Sequence, residues 1–292
     1  MLAAVASSTP GALTESFDGT VNYLPASCPA GASPPRGILF NHVSKLGGTS
    51  MKRILEAVAR ELRVPYLYAR SSSWNEFAAS TKRAVVFEHD IEPITVSDRD
   101  RRNFFVLGTI RPACSYALSN WAYKSNLLHV YNGPQNKSQN IFEKRASAKW
   151  MREGWQDYRG LHHPYTGVED LQRLERAVIN NHQTELSVEL KIRRRLLPSG
   201  SNGSAPFMDA AHCWMHTSTL VPDLIGCLRQ YAACGGEELN ATSERVLRDA
   251  FAHASNPSNH NPCTAYFRPE LAERVSGLSP SVTRAFGGLC CD

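Results

Sequence analysis

The apolar and polar positions of the chain follow the pattern of strands joined by helices. A short apolar run, Gly37–Phe40, predicts a first strand, and after a polar turn the apolar residues recur every three or four positions. That spacing predicts one face of an amphipathic helix, formed by Met51, Ile54, Leu55, Val58 and Leu62. Further strands are predicted at 64–68, 84–87 and 104–110, and a helix at 113–123. Alternation of this kind favours an α/β fold, in which helices flank a parallel sheet.

The two ends of the chain carry different signals. Residues 1–35 are rich in Ala, Ser, Pro and Gly and offer little to bury, so we expect a flexible N-terminal arm or stem. Residues 36–292 are predicted to form a single domain, which is the default at this length. Charged helical stretches are predicted at 140–158 and 168–197, and no internal repeat is present.

The charge balance narrows the choice of ligands. The formal net charge of +5 favours anions such as phosphates and sulfated sugars, but it is too small to indicate nucleic acid. No apolar run approaches the length of about 18 residues that predicts a membrane-spanning helix. We therefore expect a globular protein whose ligands include anions.

Cysteines and glycosylation sequences point to the secretory pathway, with the cytoplasm as the alternative. Eight cysteines are many for a reducing compartment. Six lie in the last third, without the paired spacing of a zinc site: Cys213, Cys227, Cys234, Cys263, Cys290 and Cys291. Asn136, Asn202 and Asn240 each begin an N-x-S/T triplet, the acceptor sequence for N-glycosylation. Leu2–Ala6 is too short for a signal peptide, and membrane attachment is expected only through an N-terminal anchor missing from this sequence.

The most informative segment joins the first strand to the first helix and reads NHVSKLGGTS over residues 41–50. A helix N-terminus offers unpaired backbone N–H groups and the positive end of its dipole, and glycines let an anion approach the backbone. The residues predicted to bind the anion are His42, Lys45, Leu46, Gly47, Gly48, Thr49 and Ser50. In the nucleoside triphosphatase loop the lysine follows the second glycine, whereas Lys45 precedes both glycines, which disfavours a magnesium-dependent kinase.

This loop resembles the 5′-phosphosulfate loop of sulfotransferases that use PAPS, an adenine nucleotide with a 5′-phosphosulfate and a 3′-phosphate. The likeness is greatest to the Golgi carbohydrate enzymes of the heparan sulfate 2-O and 6-O type, whose loop reads roughly H-x-x-K-x-G-G-T-[ST]. The histidine, the lysine, both glycines, the threonine and the serine of this chain match that pattern. The resemblance implies a three-layer, P-loop-like fold, PAPS as cofactor and PAP as product, a Golgi location, and transfer of a sulfuryl group to a hydroxyl.

A PAPS enzyme also binds the 3′-phosphate, which the resembled families do with an arginine and, eight residues later, a serine. Arg111 and Ser119 have this spacing after the predicted strand 104–110. The planar arginine side chain gives two parallel hydrogen bonds to phosphate, and Pro112 suits the first turn of a following helix. The families usually carry a second arginine where this chain has Tyr116, so that contribution is missing. The resemblance covers residues 37–125.

Sulfuryl transfer also needs a base that takes the proton of the acceptor hydroxyl. His89 follows the apolar run 84–87, at the predicted carboxyl edge of the sheet, where α/β folds bind ligands. The 2-O and 6-O enzymes carry a histidine base on a comparable segment and other branches use glutamate, so Glu88 is the reserve candidate. Alternation along the strand sends the two side chains to opposite faces, so one of them is expected to reach the site. Lys45 is expected to act in catalysis as well, by stabilising charge on the leaving nucleotide, and the scheme requires no metal.

The acceptor is expected to be a carbohydrate or small-molecule hydroxyl. A basic rim for an anionic polysaccharide would consist of Arg99, Arg101, Arg102, Lys191, Arg193, Arg194 and Arg195. Two other hypotheses remain open. A kinase or NTPase would bind ATP and magnesium, with Asp90 as the candidate metal ligand, whereas a glycan-binding relative without catalysis would have little affinity for PAP.

Overall fold

The computed structural model describes Cys28 and residues 34–68, 82–89, 101–121, 174–175, 178, 186–196, 210–251 and 262–291. The strands in this part of the chain are β1 (Gly37–His42), β2 (Tyr66–Tyr68), β3 (Ala84–His89), β4 (Phe105–Ile110) and β5 (Cys213–His216). The helices are α1 (Gly48–Glu61), α2 (Val188–Leu196), α3 (Leu220–Ala233), α4 (Ala241–Phe251), α5 (Pro269–Gly277) and α6 (Pro280–Ala285). Residues 113–121 are also helical.

All five strands join one parallel sheet in the order β2-β3-β1-β4-β5. Strand β1 is central, and its Phe40 pairs with Phe87 of β3 on one side and with Leu107 of β4 on the other. After β1, the chain forms β2 and β3 on one side of β1 and then forms β4 and β5 on the other side. Open α/β sheets bind ligands at the carboxyl ends of the strands where the order reverses in this way. The segments that leave β1 and β4 are the two that the sequence predicts to bind phosphate.

One face of the sheet packs against α1, α3 and α4. The apolar stripe predicted for the first helix is the buried face of α1, in which Met51, Ile54 and Val58 are fully buried. Residues on the other face of the sheet, such as Leu39 and Val86, are also fully buried. Burial of both faces explains why these strands read as continuous apolar runs. The predicted α/β class, a parallel sheet flanked by helices, is confirmed.

The chain contributes to two compact units. The sheet unit takes its residues from Met1–His42, Thr49–Ile110 and Leu196–Ala254, and the helical unit from Val43–Gly48, Arg111–Arg195 and Ser255–Asp292. The helical unit has its own apolar cluster, in which Leu118 and Trp121 pack with Leu271 and Val275 of α5. The chain passes between the two units several times along its sequence.

All eight cysteines form disulfides. The sheet unit holds Cys28–Cys234 and Cys213–Cys227, and the helical unit holds Cys114–Cys290 and Cys263–Cys291. Four disulfides are compatible with an oxidising compartment. Cys28 belongs to the predicted N-terminal arm, and its bond joins residues 206 positions apart. Loop-closure entropy gives such a bond a stabilising effect of about 5 kcal/mol.

The sequence located the early elements better than the later ones. Strands β1 and β3 each run two residues further than predicted, to His42 and His89. Strand β5, which pairs with β4, was not predicted. The helix predicted at 140–158 lies outside the described residues, and α2 occupies the end of the stretch predicted at 168–197. Within the described residues, no helix is long and apolar enough to cross a membrane.

Candidate functional site

The loop between β1 and α1 has the backbone of an anion-binding turn. The N–H of Leu46 donates to the carbonyl of Val43 at 3.2 Å, and the Leu46 side chain is fully buried, which anchors the loop. The φ angle is positive at Lys45 (68°) and again at Gly47 (77°). Glycine adopts this conformation freely, whereas a lysine in it costs on the order of 1–2 kcal/mol. Strained backbone is concentrated at ligand sites, and turns of this kind direct N–H groups into a concavity suited to anions.

Lys45 places its charge where the surroundings disfavour it. Burial, and then the charge of Arg111, lower the pKa of Lys45 from 10.5 to about 8. Arg111 directly follows β4, and both residues belong to the helical unit. A bound phosphate or sulfate would offset both the burial and the repulsion, because an opposite charge favours the protonated amine. The structure thus brings together the lysine of the first predicted phosphate site and the arginine of the second.

The helix that follows Arg111 has a different N-terminus from α1. Its first N–H groups, those of Cys114 and Ser115, donate to the carbonyl of Cys290 at 2.7 and 3.2 Å. The Cys114–Cys290 disulfide holds the two segments together at the same point. Because a protein carbonyl occupies these N–H groups, a phosphate near this helix must be bound mainly by side chains. Arg111 is therefore the principal candidate there.

Two other residues of this helix bear on the predicted 3′-phosphate site. Ser119, the predicted partner of Arg111, is 3% exposed. Tyr116 stands where the resembled families carry a second arginine, and it is fully buried. The helix therefore supplies one hydroxyl of the predicted site and no second cation at that position.

His42 and His89 end the neighbouring strands β1 and β3 and pair directly in the register of the sheet. His42 is buried, and its ring centroid lies 5.7 Å from that of Phe87. The side chain of His89 lies outside the described residues, as does that of Thr49. The backbone of His89 lies at the carboxyl end of the sheet, where the sequence predicts a base.

Glu88, the reserve base, is engaged in a buried cluster. Its carboxylate is 1% exposed, accepts a hydrogen bond from Asn41 Nδ2 at 2.6 Å and forms an ion pair with Arg101. Asn41 and Glu88 are paired in register on β1 and β3, which explains why they meet. A carboxylate that accepts a proton gives up its ion pair, so this environment favours a structural role for Glu88.

The prediction that Arg101 belongs to an exposed basic rim is wrong. Its side chain is 9% exposed because it is paired with Glu88. Arg102 is exposed, Lys191 and Arg193 are half-buried, and Arg193 donates to Glu189 within α2 at 3.0 Å. Arg99 and the side chains of Arg194 and Arg195 lie outside the described residues. No spacing in the sequence reveals the role of Arg101, because its partner Glu88 lies on strand β3.

The predicted site residues divide between the two units. The helical unit contains Lys45, Leu46, Gly47, Gly48, Arg111 and Ser119. The sheet unit contains His42, Thr49, Ser50, Glu88 and His89. The residues predicted to contact the two ends of the nucleotide are thus concentrated in the helical unit, and the candidate bases are in the sheet unit.

Comparisons with known proteins add little to this picture. No protein-family model matches the chain. No curated protein matches it either. Among solved structures, it is similar to the mouse sulfotransferase SULT7A1, crystallised in complex with PAP, over 87% of this chain and 85% of that chain. The sequence identity is 11% and the TM-score is 0.38, which is too low to carry an argument about function.

Proposed function

We propose that the chain is a PAPS-dependent sulfotransferase that transfers a sulfuryl group to a hydroxyl of a carbohydrate or a small molecule. The observation that carries this proposal is the proximity of Lys45 and Arg111: burial, and then the charge of Arg111, lower the pKa of Lys45 to about 8. One cation comes from the turn before α1 and the other from the end of β4. A nucleotide with anionic groups on both its 5′ and 3′ positions needs two such cations.

The residues of the helical unit fit the two ends of PAPS. The positive φ angles at Lys45 and Gly47 suit the 5′-phosphosulfate, and Lys45 adds a charge-assisted hydrogen bond. Arg111 and Ser119 are the proposed ligands of the 3′-phosphate. Arginine suits this role because its planar group binds two phosphate oxygens at once. PAPS, when bound, supplies the sulfuryl group.

The residues of the chain then divide the chemistry between them. His89 takes the proton of the acceptor hydroxyl, and Lys45 stabilises the negative charge that develops on the nucleotide side. Glu88 is the less suitable base because it already pairs with Arg101 inside the fold. The secretory setting is supported by the four disulfides, and a Golgi enzyme that acts on carbohydrate is the setting we propose.

Ligand-induced thermal stabilisation tests the proposal directly. PAP and PAPS should raise the melting temperature, whereas ATP with magnesium should have little effect, because a ligand stabilises the state that it binds. Adenosine 5′-phosphate, which lacks the 3′-phosphate, should bind more weakly than PAP. Arg111→Ala should weaken PAP binding by about 1.5–3 kcal/mol, roughly 10- to 150-fold, and should leave adenosine 5′-phosphate almost unaffected.

Arg102→Ala is the matched control for nucleotide binding, because Arg102 is exposed and is not among the residues predicted to bind PAP. This variant should bind PAP like the wild type. A larger melting shift with ATP and magnesium than with PAP would support the kinase hypothesis instead. No shift with any of these nucleotides would favour the glycan-binding relative without catalysis.

The role of His89 is tested by turnover. His89→Ala should slow the release of PAP from PAPS, measured with a panel of glycan and phenol acceptors, by about 10²–10⁴-fold. The affinity for PAP, measured by calorimetry, should stay close to that of the wild type. An unchanged rate would exclude His89 as the base.

A further inference from the structure

Asn240 lies at a glycosylation sequence that the structure leaves open to solvent. Asn240, Ala241 and Thr242 form the triplet N-x-T, with no proline at the middle position. Both Asn240 and Thr242 are exposed. The triplets at Asn136 and Asn202 lie outside the described residues.

The hydrogen bonds of Asn240 use its oxygens and leave its amide nitrogen available. Asn240 immediately precedes α4, its carbonyl accepts from the N–H of Glu244 at 3.0 Å, and its Oδ1 accepts from the N–H of Ser243 at 2.8 Å. It is therefore the N-cap of α4. Because an N–H group must face an acceptor, this contact fixes which side-chain atom is the oxygen. Nδ2 has no hydrogen-bond partner within the described residues.

We propose that Asn240 is an N-glycosylation site and that its glycan leaves the helix cap intact. In this reaction the secretory machinery supplies an oligosaccharide linked to a lipid pyrophosphate. A bond forms between Nδ2 and the first sugar carbon, the bond from that carbon to the pyrophosphate breaks, Nδ2 loses one proton, and the lipid pyrophosphate leaves. The cap uses Oδ1 and not Nδ2, so the modified residue still accepts from Ser243.

The surroundings of Asn240 have room for a bulky modification. Residues on the outer face of the first turns of α4 are exposed, among them Arg245 and Val246, the latter 44% exposed. The complete pairing of the cysteines suits the oxidising compartment in which such glycans are attached. This inference does not depend on the proposed sulfotransferase activity.

Peptide mapping of the full chain, secreted from a eukaryotic host, tests the proposal. Enzymatic release of N-glycans in heavy-oxygen water converts a glycosylated asparagine into a labelled aspartate. The peptide containing Asn240 should carry this label in the wild type and in Thr242→Ser. The label should be lost in Thr242→Ala, which keeps the asparagine and the cap but removes the acceptor sequence.

Asn240→Asp gives a second control, because aspartate caps a helix as well as asparagine does. It should lose the glycan and keep the melting temperature of enzymatically deglycosylated wild type. An unlabelled Asn240 peptide in the secreted wild type would overturn the proposal. A label that persists in Thr242→Ala would also overturn it, because such a label arises by deamidation without a glycan.

Discussion

Two regions of the molecule bury charge in opposite ways. In the sheet unit, Glu88 is enclosed with Arg101 and Asn41, so that a negative group meets a positive group and an amide donor. In the helical unit, the charge that acts on the half-buried Lys45 is that of a second cation, Arg111. The first arrangement pairs a negative with a positive group, whereas in the second a neighbouring positive charge contributes to lowering the pKa of Lys45.

The difference separates a structural role from a binding role. A buried carboxylate and arginine fix each other and hold the segments that carry them, and removing one partner is strongly destabilising. Two cations near each other raise the free energy of the folded protein, and ligand sites are where such arrangements concentrate. The two regions should therefore respond to mutation with opposite effects on stability and on binding.

The largest effect is expected from removing the charge of Glu88. Glu88→Gln leaves Arg101 buried without its counter-charge and should lower the free energy of unfolding by about 3–5 kcal/mol, measured by denaturant titration. The double variant Glu88→Leu with Arg101→Met should recover most of this loss, because well-packed apolar residues often replace a buried ion pair without cost. A Glu88→Gln protein of normal stability but without turnover would instead identify Glu88 as the base.

Lys45→Ala is expected to have a smaller effect, which weakens PAP binding and does not lower stability. It should weaken PAP binding by about 1.5–3 kcal/mol through loss of a charge-assisted hydrogen bond. The free energy of unfolding should be unchanged or higher, since the change removes a desolvated charge and its repulsion with Arg111. Calorimetric titration with PAP and denaturant titration measure the two quantities.

Arg53→Ala is the matched control for Lys45→Ala, because Arg53 is an exposed cation on α1 outside the loop. It should change neither PAP binding nor stability by more than a few tenths of a kcal/mol. Loss of stability in Lys45→Ala comparable to that in Glu88→Gln would remove the distinction between the two regions.

Local patterns in the sequence sufficed to predict the strand, loop and helix that carry the candidate site. A glycine-containing turn between an apolar run and an amphipathic stripe predicts strand, anion-binding loop and helix, and β1 and α1 follow that order. Arg111 was chosen because its spacing to Ser119 resembles that of PAPS-dependent sulfotransferases, and the structure places it directly after β4. These features depend on residues close together along the chain, which a pattern can detect.

The buried cluster around Glu88 and the strand β5 both depend on contacts between residues that are not neighbours in sequence. Arg101 was assigned to an exposed rim because nothing near it in sequence reveals that β3 brings Glu88 to it. Strand β5 is four residues long, too short for a clear periodicity, and it is defined by its pairing with β4. The disulfide pairing was undetermined for the same reason, since eight cysteines allow 105 pairings.

The smallest predicted effect is the pH dependence of PAP binding, which we expect to follow the protonation of the Lys45 amine. Because the pKa of Lys45 in the ligand-free protein is lowered to about 8, its protonated fraction falls above that pH. PAP binds the protonated amine and raises its pKa, so PAP affinity should fall above pH 8, by at most about tenfold per pH unit. The phosphates keep their charge in this range, since their second pKa is about 6.

Lys45→Arg separates this effect from every other titration, because arginine stays charged throughout. Its PAP affinity, measured by calorimetry from pH 7 to 10, should stay nearly constant where that of the wild type declines. The ligand-free wild type should show the reverse trend in stability. Its unfolded state binds more protons between pH 8 and 10.5, so its unfolding free energy should rise with pH relative to Lys45→Ala. Parallel binding profiles for wild type and Lys45→Arg would show that the proton on Lys45 does not govern PAP binding.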